Sequence, residues 1–125
     1  MSKSQRTKGA NFEREVVRQF RELGHHVARN LDQWRDGGGD IALKRWMFEC
    51  KRRAKISVYE WMEQCKAAAR GEQVPVVIAR GDNKEALVIM RFEDFLEMFD
   101  ALERSMVAAE AIQSILEDNE TKTIN

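Results

Sequence analysis

Cysteine is nearly absent. The chain has two in 125 residues, Cys50 and Cys65, at a spacing that fits neither a zinc site nor a disulfide framework. Cys50 falls in a strand-like stretch and Cys65 in a helical one, so both are expected as buried free thiols of a reducing cytoplasm. No apolar run approaches the length of a membrane span and no signal-peptide pattern opens the chain, so no membrane partner is expected. Internal repeats, low-complexity segments and a Gly-rich nucleotide loop are all missing, and with the last goes any expectation of a nucleotide cofactor. The two histidines, His25 and His26, have no metal-ligand spacing. Aromatic residues form no platform of the kind RNA binders often use.

An excess of charge is also missing, because 21 Lys and Arg balance 21 Asp and Glu. The balance is uneven along the chain. Residues 1–84 hold 18 cations against 11 anions, and residues 85–125 hold 3 against 10. A basic front and an acidic tail suit a protein whose front meets a polyanion, although ordinary charge clustering reads the same way. The length suits one domain with a real core.

What the sequence does have is a stretch from Gly39 to Lys51 that reads as two short strands joined by a tight reversal. In the second strand Met47, Glu49 and Lys51 share one face while Phe48 and Cys50 share the other. Asp40 opens the first strand and would lie at the same end of an antiparallel pair. Two carboxylates within reach of one cation, with a lysine beside them, are what metal-assisted phosphodiester hydrolysis requires. Asp followed nine residues later by Glu-x-Lys also describes a solvated strand face. The three glycines before Asp40 favour the site, since such a run costs backbone entropy without packing anything. Arg52, Arg53 and Lys55 follow at once and suit a phosphate clamp.

Around this stretch the periodicity predicts an α/β order. Residues 1–8 are expected as a flexible basic arm that includes Lys8. A helix is expected over 9–23, with Phe12, Val16, Phe20 and Leu23 inward and Gly24 ending it. Arg14 lies on another face, and Glu13 adjoins the apolar stripe. A short strand over 25–30 and a polar loop over 31–39, containing Arg35, lead to Asp40. Ser57 with Glu60 reads as a capping box for a helix burying Val58, Trp61, Met62, Cys65 and Ala69. Residues 74–79 and 86–90 read as strands, and Pro75 marks the former as an edge strand or its start. From Phe92 onward a three-four spacing runs to Leu116, as one helix or as two with a break near Ser105. The final residues from Thr121 should fray.

Four segments fall in an order that resembles the PD-(D/E)XK nuclease superfamily, above all archaeal-type Holliday junction resolvases and their phage or prophage relatives. They are Lys8-Gly9-Ala10-Asn11-Phe12-Glu13-Arg14-Glu15, Val27-Ala28-Arg29, Gly39-Asp40-Ile41 and Phe48-Glu49-Cys50-Lys51. Gly39 stands where the family has proline. The resemblance implies a restriction-endonuclease-like mixed central sheet flanked by helices; the additional acidic C-terminal helix departs from the compact resolvases, and both are expected within one nuclease domain over 9–120. It implies Asp40, Glu49 and the Cys50 backbone carbonyl as ligands of Mg²⁺, which Mn²⁺ can replace, and Glu13 as a further ligand if a second metal binds. Lys51 would position the attacking water. Arg29 would sit near the scissile phosphate, with Lys8, Arg14, Arg35, Arg52, Arg53 and Lys55 as further DNA contacts. The expected activity is cleavage of branched DNA by a homodimer. A phage nuclease for flaps or duplex, or a non-catalytic DNA-binding protein, is the alternative.

Overall fold

A serine three residues ahead of a glutamine sets where the first helix begins. The computed structural model describes residues 2–27, 29 and 41–124. In it Ser2 Oγ accepts from the Gln5 backbone N–H at 3.2 Å while the Ser2 N–H donates to Gln5 Oε1 at 3.1 Å. This reciprocal pair satisfies two otherwise orphaned donors, and α1 runs Lys3–Glu22. The segment expected as a flexible arm is therefore the first turns of a capped helix. The other end closes as anticipated. Gly24 takes φ +95, its N–H donates to the Arg21 carbonyl at 2.9 Å, and the His25 N–H donates to the Phe20 carbonyl at 3.1 Å. These are the two bonds of a Schellman stop, which needs the left-handed conformation that glycine adopts without strain.

Four strands follow: β1 (Ile41–Leu43), β2 (Trp46–Arg52), β3 (Val74–Arg80) and β4 (Leu87–Met90). They form one sheet in that order. β1 pairs antiparallel with β2, β2 parallel with β3, and β3 antiparallel with β4. The sheet is thus mixed, and its parallel pair is joined through α2 (Val58–Ala68), as a crossover requires. Of the strand expected over 25–30, the described residues show only a bridge between Arg29 and Ile41, with Val27 buried. The loop expected over 31–39 lies outside the described residues.

The period-two alternation of β2 divides the core in two. Phe48 and Cys50 pack with Phe12, Val16 and Val17 of α1, together with Ile41, Val76 and Ile78. Met47 packs the opposite way, with Trp61, Met62 and Cys65 of α2 and with Val77. β3 contributes to both clusters, which is why 74–79 is an unbroken apolar run rather than an alternating one. Full burial of a side chain such as Val77 stabilises by about 1.5–3 kcal/mol. Pro75 is at the start of β3 but not on an edge. Its missing N–H is tolerated because the β4 ladder begins only at Val76. At α2, Ser57 stands at the N-cap but its side chain makes no capping bond, so the expected capping box does not form. Its carbonyl accepts from the Trp61 N–H at 3.0 Å, and Glu60 lies in the first turn, where its charge suits the helix dipole.

The chain divides into two units, Met1–Arg91 and Phe92–Asn125, where the sequence suggested one domain. The second unit is α3, one unbroken helix from Phe92 to Ile124. The alternative break near Ser105 is absent, and the helix continues past Thr121. No helix among the described residues is long and apolar enough to cross a membrane.

Candidate active site

Strand alternation sends Glu49 and Lys51 to one side of β2, and the ladder then determines what surrounds them. Ile41, the residue after Asp40 in sequence, pairs with Phe48, the residue before Glu49, and the β1–β2 register extends only from there to Leu43↔Trp46. On its other side β2 stays paired with β3 through Arg52↔Arg80. α1 approaches this part of β2 because Phe12, Val16 and Val17 pack onto Phe48 and Cys50. Glu13, next to Phe12, thereby comes to the same place, and the Arg29–Ile41 bridge brings Arg29 there as well.

The result is a cleft of ≈ 310 Å³ lined by Glu13, Arg29, Glu49, Cys50, Lys51 and Arg53, with Gln5, Arg6, Gly9 and Ala10 of α1 forming one wall. Lys51 Nζ lies 3.2 Å from Glu49 Oε1, and Arg29 Nε donates to Glu13 Oε2 at 2.8 Å. Glu13, Glu49 and Lys51 side chains are each 13% exposed. Burial pushes the Glu49 carboxyl above the usual carboxylate range. The Lys51 charge and hydrogen bond pull it back, the Glu13 charge pushes it further up, and Arg53 opposes that. The upward direction wins, so the cleft favours additional positive charge beside Glu49.

The carboxylate oxygens of Glu13 and Glu49 in this cleft are donors of the kind a hard divalent ion takes. Among the described residues no group of three His, Cys, Asp or Glu side chains could hold a metal. Asp40, the remaining expected carboxylate ligand, lies outside them, as does Arg35.

The structure brings together Glu13, Arg29, Glu49, Cys50, Lys51 and Arg53. The other expected DNA contacts do not line this cleft. Lys8 and Arg52 both pair with Asp82, the former at 3.7 Å, and the Arg52 hydrogen bond, then the Lys8 charge, hold the Asp82 carboxyl below its ordinary range. Arg14 is exposed and donates to Asn11 Oδ1 at 3.1 Å. Lys55 is exposed beyond the end of β2. Sequence reasoning missed Gln5, Arg6, Gly9 and Ala10 as cleft residues, and the Ser2–Gln5 capping spacing was the signal that could have found them.

No curated protein and no solved structure matches the chain. One family model does, described as “phage putative PDDEXK endonuclease”, and it matches residues 4–125. With a match over nearly the whole length and a mixed four-stranded sheet flanked by helices, the chain belongs to this phage endonuclease family of the PD-(D/E)XK superfamily.

Proposed function

We propose that the protein is a Mg²⁺-dependent DNA endonuclease, with Mn²⁺ able to substitute, that cuts phosphodiesters in branched DNA as a homodimer. The observation that carries this reading is the convergence of a helix-borne carboxylate, Glu13, with a strand-borne carboxylate and ammonium, Glu49 and Lys51, in one cleft with Arg29 and Arg53. Asp40, Glu49 and the Cys50 carbonyl would hold the cation, and Glu13 a second one. A bound divalent ion supplies Lewis acidity toward the phosphate and lowers the pKa of a coordinated water. Lys51 orients the attacking water and offsets negative charge as it develops on the phosphorane-like transition state. Arg53 and Arg29 hold the phosphate in place, with Arg29 also orienting Glu13 through its 2.8 Å contact.

A dimer is supported by α3. Phe95, Leu102, Ala109 and Leu116 recur every seven residues, interleaved with Phe92, Phe99 and Met106, which is a coiled-coil seam. Phe92, Phe95, Phe99, Leu102, Met106 and Leu116 are exposed, and 33 residues rise about 50 Å. Glu103, Glu110 and Glu117 flank one side of the seam, and Met98, Ser105 and Ile112 the other. Parallel pairing of two copies sets each glutamate against a neutral residue, whereas antiparallel pairing sets glutamates against one another.

The second reading is a phage nuclease that acts on flaps or simple duplex DNA. A panel of labelled four-way, flap, duplex and single-stranded DNAs, with Mg²⁺ and with or without chelator, tests both. Preference for the four-way junction supports the first and preference for flap or duplex the second. Absence of cleavage on every substrate would leave a DNA-binding protein of the same fold.

A further inference from the structure

The catalytic cleft has one wall made of helix α1, and that wall contains a residue the fold itself does not require. Arg6, Gly9, Ala10 and Glu13 follow one another at helical spacing and all line the cleft. Gly9 is interior to α1, where glycine is a much poorer helix former than alanine. A Cβ built on Gly9 meets nothing within 4 Å. Neither an unusual backbone angle nor internal packing calls for glycine, so the space beside it is left for something from outside. Arg6, one turn nearer the N-terminus, is exposed on the same wall and has no ion-pair partner among the described residues.

We infer that this face of α1 is a track for the sugar-phosphate backbone of the DNA strand being cut, with Gly9 allowing close approach and Arg6 gripping a phosphate away from the scissile one. The inference rests on the nuclease reading above and adds where the substrate strand runs. Its geometry gives a distance. Arg6 and Glu13 are separated by two turns, about 10 Å along the helix and roughly the rise of three base pairs. Arg6 therefore meets a phosphate two or three nucleotides from the cleaved bond. The contact is electrostatic and indifferent to base identity.

Four measurements on the full chain test this. Gly9→Ala should raise the Tm, since the position is helical and open. Gly9→Leu should fold with a Tm no lower than wild type yet bind DNA weaker by on the order of tenfold, as expected for a displaced backbone contact. Arg6→Ala should lower the salt slope of binding by about one unit. Methylphosphonates placed singly along the cleaved strand should slow the wild type at a site two or three nucleotides from the cut, and should not slow Arg6→Ala further at that site. Gly9→Leu binding and cutting like wild type would overturn the track. So would an Arg6→Ala variant as sensitive to that methylphosphonate as wild type, a readout that does not depend on the leucine variant folding. A wild-type protein that cuts no DNA at all would instead sink the nuclease reading, so the two failures are separable.

Discussion

Glu13 of α1 and Glu49 of β2 share one cleft although each already has a cation of its own, Arg29 at 2.8 Å and Lys51 at 3.2 Å. The two pairs differ in what they achieve. Glu49 keeps a raised pKa because burial outweighs Lys51, and Glu13 adds to the rise.

This has a consequence for pH. A carboxyl whose folded pKa lies above its unfolded value contributes stability below the unfolded pKa and loses it as pH rises through the folded one. At pH 8 the ionised Glu49 therefore costs the metal-free protein stability, and Glu49→Gln should raise its Tm by a few degrees while abolishing cleavage. Mg²⁺ should raise the Tm of the wild type and leave the variant unmoved. Thermal melts at pH 5 and pH 8, with and without Mg²⁺, check both. A variant less stable than wild type at pH 8 without metal would mean that Lys51 fully compensates the buried charge.

Lys51→Ala should separate chemistry from affinity. Removing a donor aimed at developing charge typically lowers turnover by about 10²–10³-fold, while DNA binding in Ca²⁺ should change little. Lys51→Arg should not restore the rate, because a planar guanidinium is a poor replacement for a compact ammonium. Single-turnover cleavage beside filter binding reads the two quantities.

Arg52 and Arg53 are neighbours with different expected phenotypes. Arg53 faces the cleft, so Arg53→Ala should weaken DNA binding and lower the salt slope by about one unit. Arg52 is engaged by Asp82, so Arg52→Ala should leave the slope unchanged and loosen the 80–84 turn instead. Binding isotherms across a salt series distinguish them. Equal slopes for both variants would mean that Arg52 leaves Asp82 when DNA arrives.

The Glu13–Arg29 pair calls for a double-mutant cycle in urea. Each single change, Glu13→Gln or Arg29→Gln, leaves a partly buried charge without its partner and should destabilise the fold. The double variant should recover part of the loss, with a coupling of about 0.5–3 kcal/mol, yet stay inactive. Strict additivity would show that the two side chains do not interact in solution.

For α3, Leu102→Glu combined with Leu116→Glu should convert a dimer into a monomer by light scattering. The same variant should nick a cruciform plasmid once where the wild type makes paired cuts on opposing strands, because a two-fold axis is what holds two active sites at fixed separation. A wild type that is monomeric at micromolar concentration would exclude the seam.

Much of this architecture is legible in the sequence because its signals are local. The two-residue period of β2 marks Glu49 and Lys51 as sharing a side, the stripe Phe12, Val16 and Phe20 marks the inner face of α1, and the apolar run of β3 marks a strand covered on both faces. What escapes is either tertiary or hidden by composition. The start of α1 is specified by Ser2 and Gln5, but its first turns hold no large apolar residue, so hydrophobic periodicity passes over them. Asp82 engages Arg52, and nothing near those arginines in sequence announces it. At α2 the reverse happens: the Ser57 and Glu60 spacing promises a capping bond that the backbone angles at Ser57, φ -137 and ψ 66, do not deliver.

The two scarce cysteines turn out to be distributed one to each side of the sheet. Cys50 belongs to the cluster under α1 and Cys65 to the cluster under α2, where its Sγ donates to the Met47 carbonyl at 3.3 Å and the Val76 carbonyl at 3.6 Å. The protein thus has a native reporter for each face, readable by thiol-labelling rates without any engineered probe. Alkylation of either sulfur waits for its own layer to open, so two rates distinguish separate breathing of the layers from concerted unfolding. A strand of DNA lying along α1 would slow the labelling of Cys50 and leave that of Cys65 as it was.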